Sequence, residues 1–307
     1  MKNKKTVVLC ILDGWGIGED TFSNAIERAN TPNFDYLVNN FPTSLLRTDG
    51  EFVGLLPGQI GNSEVGHITI GAGRPIPMNL PKIHKIINDN SLKDNSVIQR
   101  FVKALKKSGG VAHLAGLFSS GGVHAHQDHM IYLANAFANE GLRVNLHLFL
   151  DGRDVPPKSA ILDIKRLESN IHEDVRIVTL IGRFYAMDRD NRWDRIEKAY
   201  DLLASGTGCR YTTAELAVLS RYECGETDEF IKPSVINGYN GFSNDSDGLF
   251  FMNYRSDRAR ELLSALCDPK FNKFERQKSF TFVSQSGLIE YSDDHKKFME
   301  NVLSHEP

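Results

Sequence analysis

The residues that could carry chemistry in this chain are one serine, one aspartate and a scattered set of arginines. Ser63 closes a glycine-rich stretch, Gly58-Gln59-Ile60-Gly61-Asn62-Ser63, and Glu64-Val65-Gly66-His67 after it suits the first turn of a helix. Backbone N–H groups and the helix dipole at such a position can hold an anion and favour an alkoxide, so the loop can present Ser63 to a phosphate. A tight surface turn is the plainer reading of the same glycines. A Walker loop is excluded, because no Gly-Lys-Ser/Thr follows. Asp13 follows the apolar run of residues 6–12 and precedes Gly14-Trp15-Gly16. It is either a turn aspartate or a metal ligand, placed where open α/β sheets put their ligands. Asp13 and Ser63 are both hard oxygen donors. They can share one divalent ion, which would depress the serine pKa.

The arginines recur in a pattern. Arg153 and Asp154 follow one apolar segment, Arg183 and Arg189 the next, and Arg255 and Arg258 another; His124 and His126 follow Gly121-Gly122-Val123. Taken singly, each arginine is a solvated surface group. Taken together, cations gathered at successive strand ends imply an anion, since like charges repel unless something neutralises them. Guanidinium forks match phosphate and carboxylate oxygens. Asp154 can orient an arginine or accept a proton. His124 can be an acid or base near neutral pH, or simply a core or surface histidine. The run Asp188-Arg189-Asp190-Asn191-Arg192-Trp193-Asp194-Arg195 lacks the Gly and final Glu of a calcium loop and reads as a charged helix cap.

The elements that must position these groups follow from hydrophobic patterning. Residues 6–12 are continuously apolar, as in a strand buried on both faces. Thr31-Pro32 caps a helix. The prolines of residues 75–81 mark a crossover between two domains. Beyond it, helix 96–108, strand 111–118, helix 130–141, strand 144–150, helix 162–169 and strand 175–181 alternate, with a further strand at 249–255. This rhythm predicts a parallel sheet with right-handed crossovers. The strand carboxyl ends then share one edge, where the arginines converge on one cleft.

The 307 residues allow two domains, and 41% hydrophobic with 24% charged residues fits a globular chain. A net charge of −3 speaks against general nucleic-acid binding. Cys10, Cys209, Cys224 and Cys267 form no C-x-x-C and fit reduced thiols of a cytoplasmic protein. Residues 1–5 are basic, but the run behind them is too short for a signal peptide, and nothing spans a bilayer.

Six blocks in order carry a resemblance: Leu12-Asp13-Gly14-Trp15-Gly16; Gly58 to His67; Gly121 to His126; Asp151-Gly152-Arg153-Asp154-Val155-Pro156-Pro157; Gly182 to Asp190; and Asn253-Tyr254-Arg255-Ser256-Asp257-Arg258-Ala259-Arg260. With these the chain resembles the cofactor-independent (2,3-bisphosphoglycerate-independent) phosphoglycerate mutases of the alkaline phosphatase superfamily. The resemblance implies an α/β fold of two domains. Residues 1–76 would be part of a phosphatase-like parallel sheet, incomplete here, and residues 77–307 an inserted α/β phosphotransferase domain that binds phosphoglycerate. It implies that Ser63 is the phosphorylated nucleophile and that Asp13 and Ser63 bind one of two Mn²⁺ ions. It further implies that His124, Arg153, Asp154, Arg183, Arg189, Arg255 and Arg258 hold the substrate. The implied reaction interconverts 3- and 2-phosphoglycerate in glycolysis through phosphoserine, in a cytoplasmic monomer acting on a small molecule, with neither nucleic acid nor membrane as partner.

The chain departs from the family pattern at Ser120, where the family has Asp, after Gly73-Arg74, and at Ser284 to Tyr291. The family's remaining metal ligands (Asp-x-x-x-His, Asp-His and a later His) and its catalytic Lys are not found, and His67, His295 and His305 lack the spacing to replace them. Two oxygen ligands do not close a Mn²⁺ site. A partial sheet would also leave residues 1–75 with an unpaired edge and an uncovered apolar face. Three readings result: an active mutase completed by its missing half, a phosphoglycerate-binding remnant without chemistry, and another alkaline-phosphatase-like hydrolase such as a phosphopentomutase. The set of inserted-domain motifs argues against the third.

Overall fold

The computed structural model describes residues 6–18, 22–243, 245–278 and 280–304. The chain is α/β and divides into two compact units, Met1–Pro81 and Lys82–Pro307; residues 1–5 and His305 lie outside the described residues.

Among its described residues the first unit is helical. It contains α1 (Ala25–Arg28), α2 (Pro32–Asn40) and α3 (Ser63–Ala72). Proline opens α2 behind Thr31, as the sequence predicts. Asn62 caps α3, its side chain accepting from Val65 N at 3.2 Å. The expected strand at residues 6–12 is not formed: it is extended coil, with Val7 90% and Leu9 71% exposed. The reason is physical, because the described residues of this unit offer no neighbouring strand to take its N–H and C=O groups. The expected parallel sheet is therefore absent from the described part of residues 1–76. The crossover is also shorter than expected, since α4 (Asn79–Asn88) begins inside the proline run; Pro81 sits in its first turn, where the lost N–H costs little.

The second unit is built on one sheet. In chain order its elements are α5 (Ser96–Ser108), β1 (Ala112–Phe118), α6 (Gln127–Asn139), β2 (Val144–Leu150), α7 (Ala160–Glu168), β3 (Val175–Gly182), α8 (Arg183–Ala186), α9 (Trp193–Ser205), β4 (Cys209–Tyr211), α10 (Ala214–Glu223), β5 (Ser234–Ile236), β6 (Gly248–Phe251), α11 (Arg260–Cys267), β7 (Ser284–Ile289) and β8 (Glu300–Leu303). The strand order is β4-β5-β3-β2-β1-β6-β7-β8 among the described residues. Pairing is parallel except between β3 and β5, where Thr179 meets Val235 antiparallel. All of β1 is buried, which is why its sequence shows no polar alternation. Phe101 of α5, Phe137 of α6 and Phe250 of β6 pack at ring distances of 5.0–5.8 Å and anchor helices to the sheet.

The order sets the site. β2 lies on one side of β1 and β6 on the other, so the chain reverses direction across the sheet at β1, and ligands of open α/β sheets bind outside the strand ends at such a point. The residues there are tied together by the backbone: Tyr254 N donates to the His124 carbonyl at 2.8 Å, and Leu117 N donates to Asn253 Oδ1 at 2.9 Å.

Candidate active site

In the first unit, Ser63 is the first residue of α3, and its Oγ donates to Asp13 Oδ2 at 2.8 Å across fifty positions of sequence. Both side chains are exposed. His67, one turn along the helix, places Nδ1 2.8 Å from the Ser63 carbonyl and 3.2 Å from Ser63 Oγ. A carbonyl only accepts, so Nδ1 carries the proton and cannot also accept one from the hydroxyl. The Ser63 proton therefore points to Asp13. These hard oxygens fit the donor chemistry of a Mn²⁺ or Mg²⁺ ion, but they supply two of the six ligands such an ion takes. His295, in the second unit, is buried against Ser292 Oγ at 2.6 Å and Ser264 Oγ at 3.2 Å.

In the second unit, strand ends deliver the arginines. A cavity of about 430 Å³ is lined by Arg153 after β2, Arg183 at the start of α8, Arg189 and Arg192 between α8 and α9, Arg195 in the first turn of α9, and Arg258 before α11. Gly182 lets this region close. Its N donates to Ile231 O at 2.7 Å, and a Cβ there would lie 2.1 Å from the Glu229 carbonyl oxygen. No other residue allows the 228–230 turn to pack so tightly on the end of β3.

The cations are not equivalent. Arg183 is buried, and its Nη1 reaches Asp151 Oδ1 at 2.6 Å and Asp154 Oδ2 at 2.5 Å. Burial works against its charge, but these two carboxylates outweigh it and raise its pKa. Asp154 thus takes the orienting role of its two sequence readings. Asp151 is buried too, yet bonds from Ser119 Oγ, the Asp154 N–H and Arg183 hold its carboxyl below the usual range. Arg195 lies over the Phe184 ring at 3.7 Å and pairs with buried Asp188 at 3.3 Å. Arg153 reaches Glu229 at 3.4 Å. Arg258 gives Nη1 to the Met187 carbonyl at 3.1 Å. Its pKa is pushed below the ordinary guanidinium value, first by burial and then by Arg189 and Arg183, with Arg153 adding to the repulsion.

Arg255 departs from expectation, because it does not line the cavity. It belongs to a neighbouring cluster on Asp257, with Arg255 Nε 3.4 Å from Oδ1 and Arg189 Nη1 2.9 Å from Oδ2. His124 Nδ1 stands 3.6 Å from the same Oδ1. Burial first, and Arg183 second, push the His124 pKa down to about 4. That favours the neutral imidazole near neutral pH.

Sequence reasoning leaves Arg192 and Arg195 as part of a charged cap, though their place beside Arg189 was the available signal. It also passes over His84 and His129, which group with His126; the spacing His124-x-His126-x-x-His129 was visible, but His84 had no partner in sequence.

Comparison with known proteins bears on these arrangements. The family model described as the BPG-independent PGAM N-terminus matches residues 83–293. The chain is 48% identical over 303 residues to the 2,3-bisphosphoglycerate-independent phosphoglycerate mutase of Dinoroseobacter shibae, covering 99% of this chain and 60% of that one. It is 46% identical over 303 residues to the protein of the same name from Ruegeria pomeroyi, with the same coverage. Among solved structures it is similar to Leishmania mexicana phosphoglycerate mutase at low cobalt concentration, with a TM-score of 0.77, 27% identity, and coverage of 96% of this chain and 56% of that one. The chain spans about 60% of the length of these curated relatives.

Proposed function

Because this chain belongs to the family of 2,3-bisphosphoglycerate-independent phosphoglycerate mutases, we propose that it carries the nucleophile and the substrate-holding part of a mutase that interconverts 3- and 2-phosphoglycerate. The observation that supports this best is the convergence of Arg153, Arg183, Arg189 and Arg258 on one cavity. Like charges gathered this closely repel, and an anion between them relieves the repulsion. Phosphoglycerate brings a phosphate and a carboxylate, two groups that guanidinium forks bind bidentately. Arg153, Arg189 and Arg258 would bind it directly. Arg183, held by Asp151 and Asp154, would supply positive potential from below.

In the first unit, Ser63 would accept the phosphoryl group. The bond from Oγ to phosphorus forms as the bond from phosphorus to the glycerate 3-oxygen breaks, Oγ giving up its proton and the freed 3-oxygen taking one up; in the return step the 2-hydroxyl gives up its proton and bonds phosphorus as the Oγ–phosphorus bond breaks and Oγ regains a proton. Asp13 Oδ2 holds the Ser63 proton and so aims an Oγ lone pair away from the carboxylate. A Mn²⁺ ion held by Asp13 and Ser63, when bound, would lower the hydroxyl pKa as a Lewis acid. Since Asp13 and Ser63 supply only two donors, completing that site takes ligands beyond them. Phosphoglycerate binding without chemistry is therefore the second reading, since Asp13 and Ser63 alone do not close an ion site. The mutase reading carries with it a cytoplasmic, glycolytic setting. No described helix is long and apolar enough to cross a membrane.

Isothermal titration with 3-phosphoglycerate tests the proposal. Binding that is weakened at least about tenfold in Arg258→Met supports it, one tenfold step being 1.4 kcal/mol. Equal affinity in wild type and variant refutes it.

A further inference from the structure

Three histidines that the arginine cavity does not use meet on two helices of the second unit. His84 lies on α4, His126 is the N-cap residue of α6, and His129 is the third residue of α6. One ring nitrogen of each lies within 4.8 Å of those of the other two. His84 Nδ1 and His129 Nε2 are 2.9 Å apart, and the three ring centroids are separated by 4.7, 5.0 and 5.4 Å. We propose that His84, His126 and His129 form a binding site for a divalent transition-metal ion of the zinc class, independent of the Asp13–Ser63 pair.

The donor set selects the ion. Imidazole nitrogens suit Zn²⁺, Co²⁺, Ni²⁺ and Cu²⁺, whereas Mn²⁺ and Mg²⁺ prefer oxygen. Three protein nitrogens plus one water complete a tetrahedral zinc site. With zinc–nitrogen bonds of about 2.0–2.1 Å, tetrahedral ligand nitrogens stand roughly 3.3 Å apart. The observed 2.9 Å contact and the 4.8 Å outer limit bracket that value, so small ring rotations suffice.

The arrangement is poorly explained as packing alone. The two ring nitrogens 2.9 Å apart can share a single proton, and a metal ion replaces that proton with a bond to each nitrogen. His129 is buried, and its Nδ1 has no hydrogen-bond partner among the described residues. His126 Nδ1 accepts from the Asp128 N–H at 3.3 Å, which leaves Nε2 as the nitrogen for a metal. A metal on Nε2 moves the ring proton to Nδ1, where Asp128 Oδ2, 3.8 Å away, can accept it, as second partners of ligating histidines do. An ion here would tie α4 to the start of α6, next to the segment that carries His124.

The test uses the full chain stripped of metal, titrated with ZnCl₂ by calorimetry and with CoCl₂ by visible absorption. The expected result is one zinc per chain, a tetrahedral Co²⁺ spectrum, and affinity lower by at least about tenfold in both His84→Gln and His126→Gln. These two positions are only half-buried, so the variants keep their fold, checked by circular dichroism; buried His129 is left unchanged for that reason. Asp13→Asn must retain the same zinc affinity. Absence of stoichiometric zinc binding, unchanged affinity in His84→Gln, or loss of binding in Asp13→Asn with retention in His84→Gln would each overturn the proposal. Since no phosphoglycerate is added, the outcome is independent of the mutase reading.

Discussion

Nη1 of Arg183 sits 2.6 Å from Oδ1 of Asp151, and both side chains are buried at the sheet edge beneath the arginine cavity. The same nitrogen holds Asp154. This pair is the foundation on which the more exposed cations stand. Removing one partner of a buried ion pair leaves an uncompensated charge and costs about 3–5 kcal/mol. Arg183→Met is therefore expected to lower unfolding stability by about that much, read from urea denaturation. A loss below about 1 kcal/mol would mean that solvent reaches Asp151 more freely than its burial indicates.

Arg258 makes the opposite kind of prediction. Burial and the neighbouring Arg189 and Arg183 disfavour its charge. Replacing it with methionine removes that repulsion, so the ligand-free protein should melt at the same temperature or higher. Wild type should gain stability when 3-phosphoglycerate is added, by about 2.7 kcal/mol at a hundred times Kd, and Arg258→Met should lose most of that gain. A variant that melts lower without ligand, yet is stabilised normally by it, would assign Arg258 to structure and not to binding.

His124 gives the stability a pH signature. Its pKa falls from an ordinary 6.5 to about 4 in the folded protein. Above pH 6.5 it is neutral in both states and costs nothing. Between pH 6.5 and 4 the unfolded chain binds a proton that the folded chain refuses, so stability falls as pH falls, by about 3 kcal/mol from this group. His129, held down to about 2, extends the same trend to lower pH. His124→Asn should flatten the stability profile between pH 6.5 and 4.5. Identical slopes for variant and wild type would show that His124 titrates normally.

Ser63 and Asp13 supply only two donors for a divalent ion, so the chain assayed alone with Mn²⁺ should give no product in an enolase-coupled assay. Robust turnover, abolished in Ser63→Ala, would show that the site is complete as it stands.

Much of the second unit was legible in sequence because β1, β2 and β3 are predominantly apolar runs followed by polar residues. β4 and β5 have three residues each, too few for a pattern to register. The antiparallel direction of β5 depends on its long-range pairing with β3, to which local sequence is blind. β7 opens Ser284-Gln285-Ser286-Gly287, whose composition does not suggest a strand. In the first unit the same apolar logic failed at residues 6–12, because a strand signal specifies burial but not the neighbour that must supply it. For the candidate site, position after a strand correctly grouped Arg153, Arg183, Arg189 and Arg258 around one cavity. Arg255 stands beside that cavity, on the Asp257 carboxylate that also holds Arg189. His84 was invisible for a related reason: its partners lie more than forty residues away.

The central claim is that the crowded guanidinium groups receive one phosphoglycerate molecule, and a crystal structure of the chain with 3-phosphoglycerate addresses it most directly. The account predicts the ligand inside the cavity, with phosphate or carboxylate oxygens within hydrogen-bonding distance of at least two of Arg153, Arg189 and Arg258. A saturated crystal with that cavity empty, or with the ligand bound only elsewhere, would contradict it.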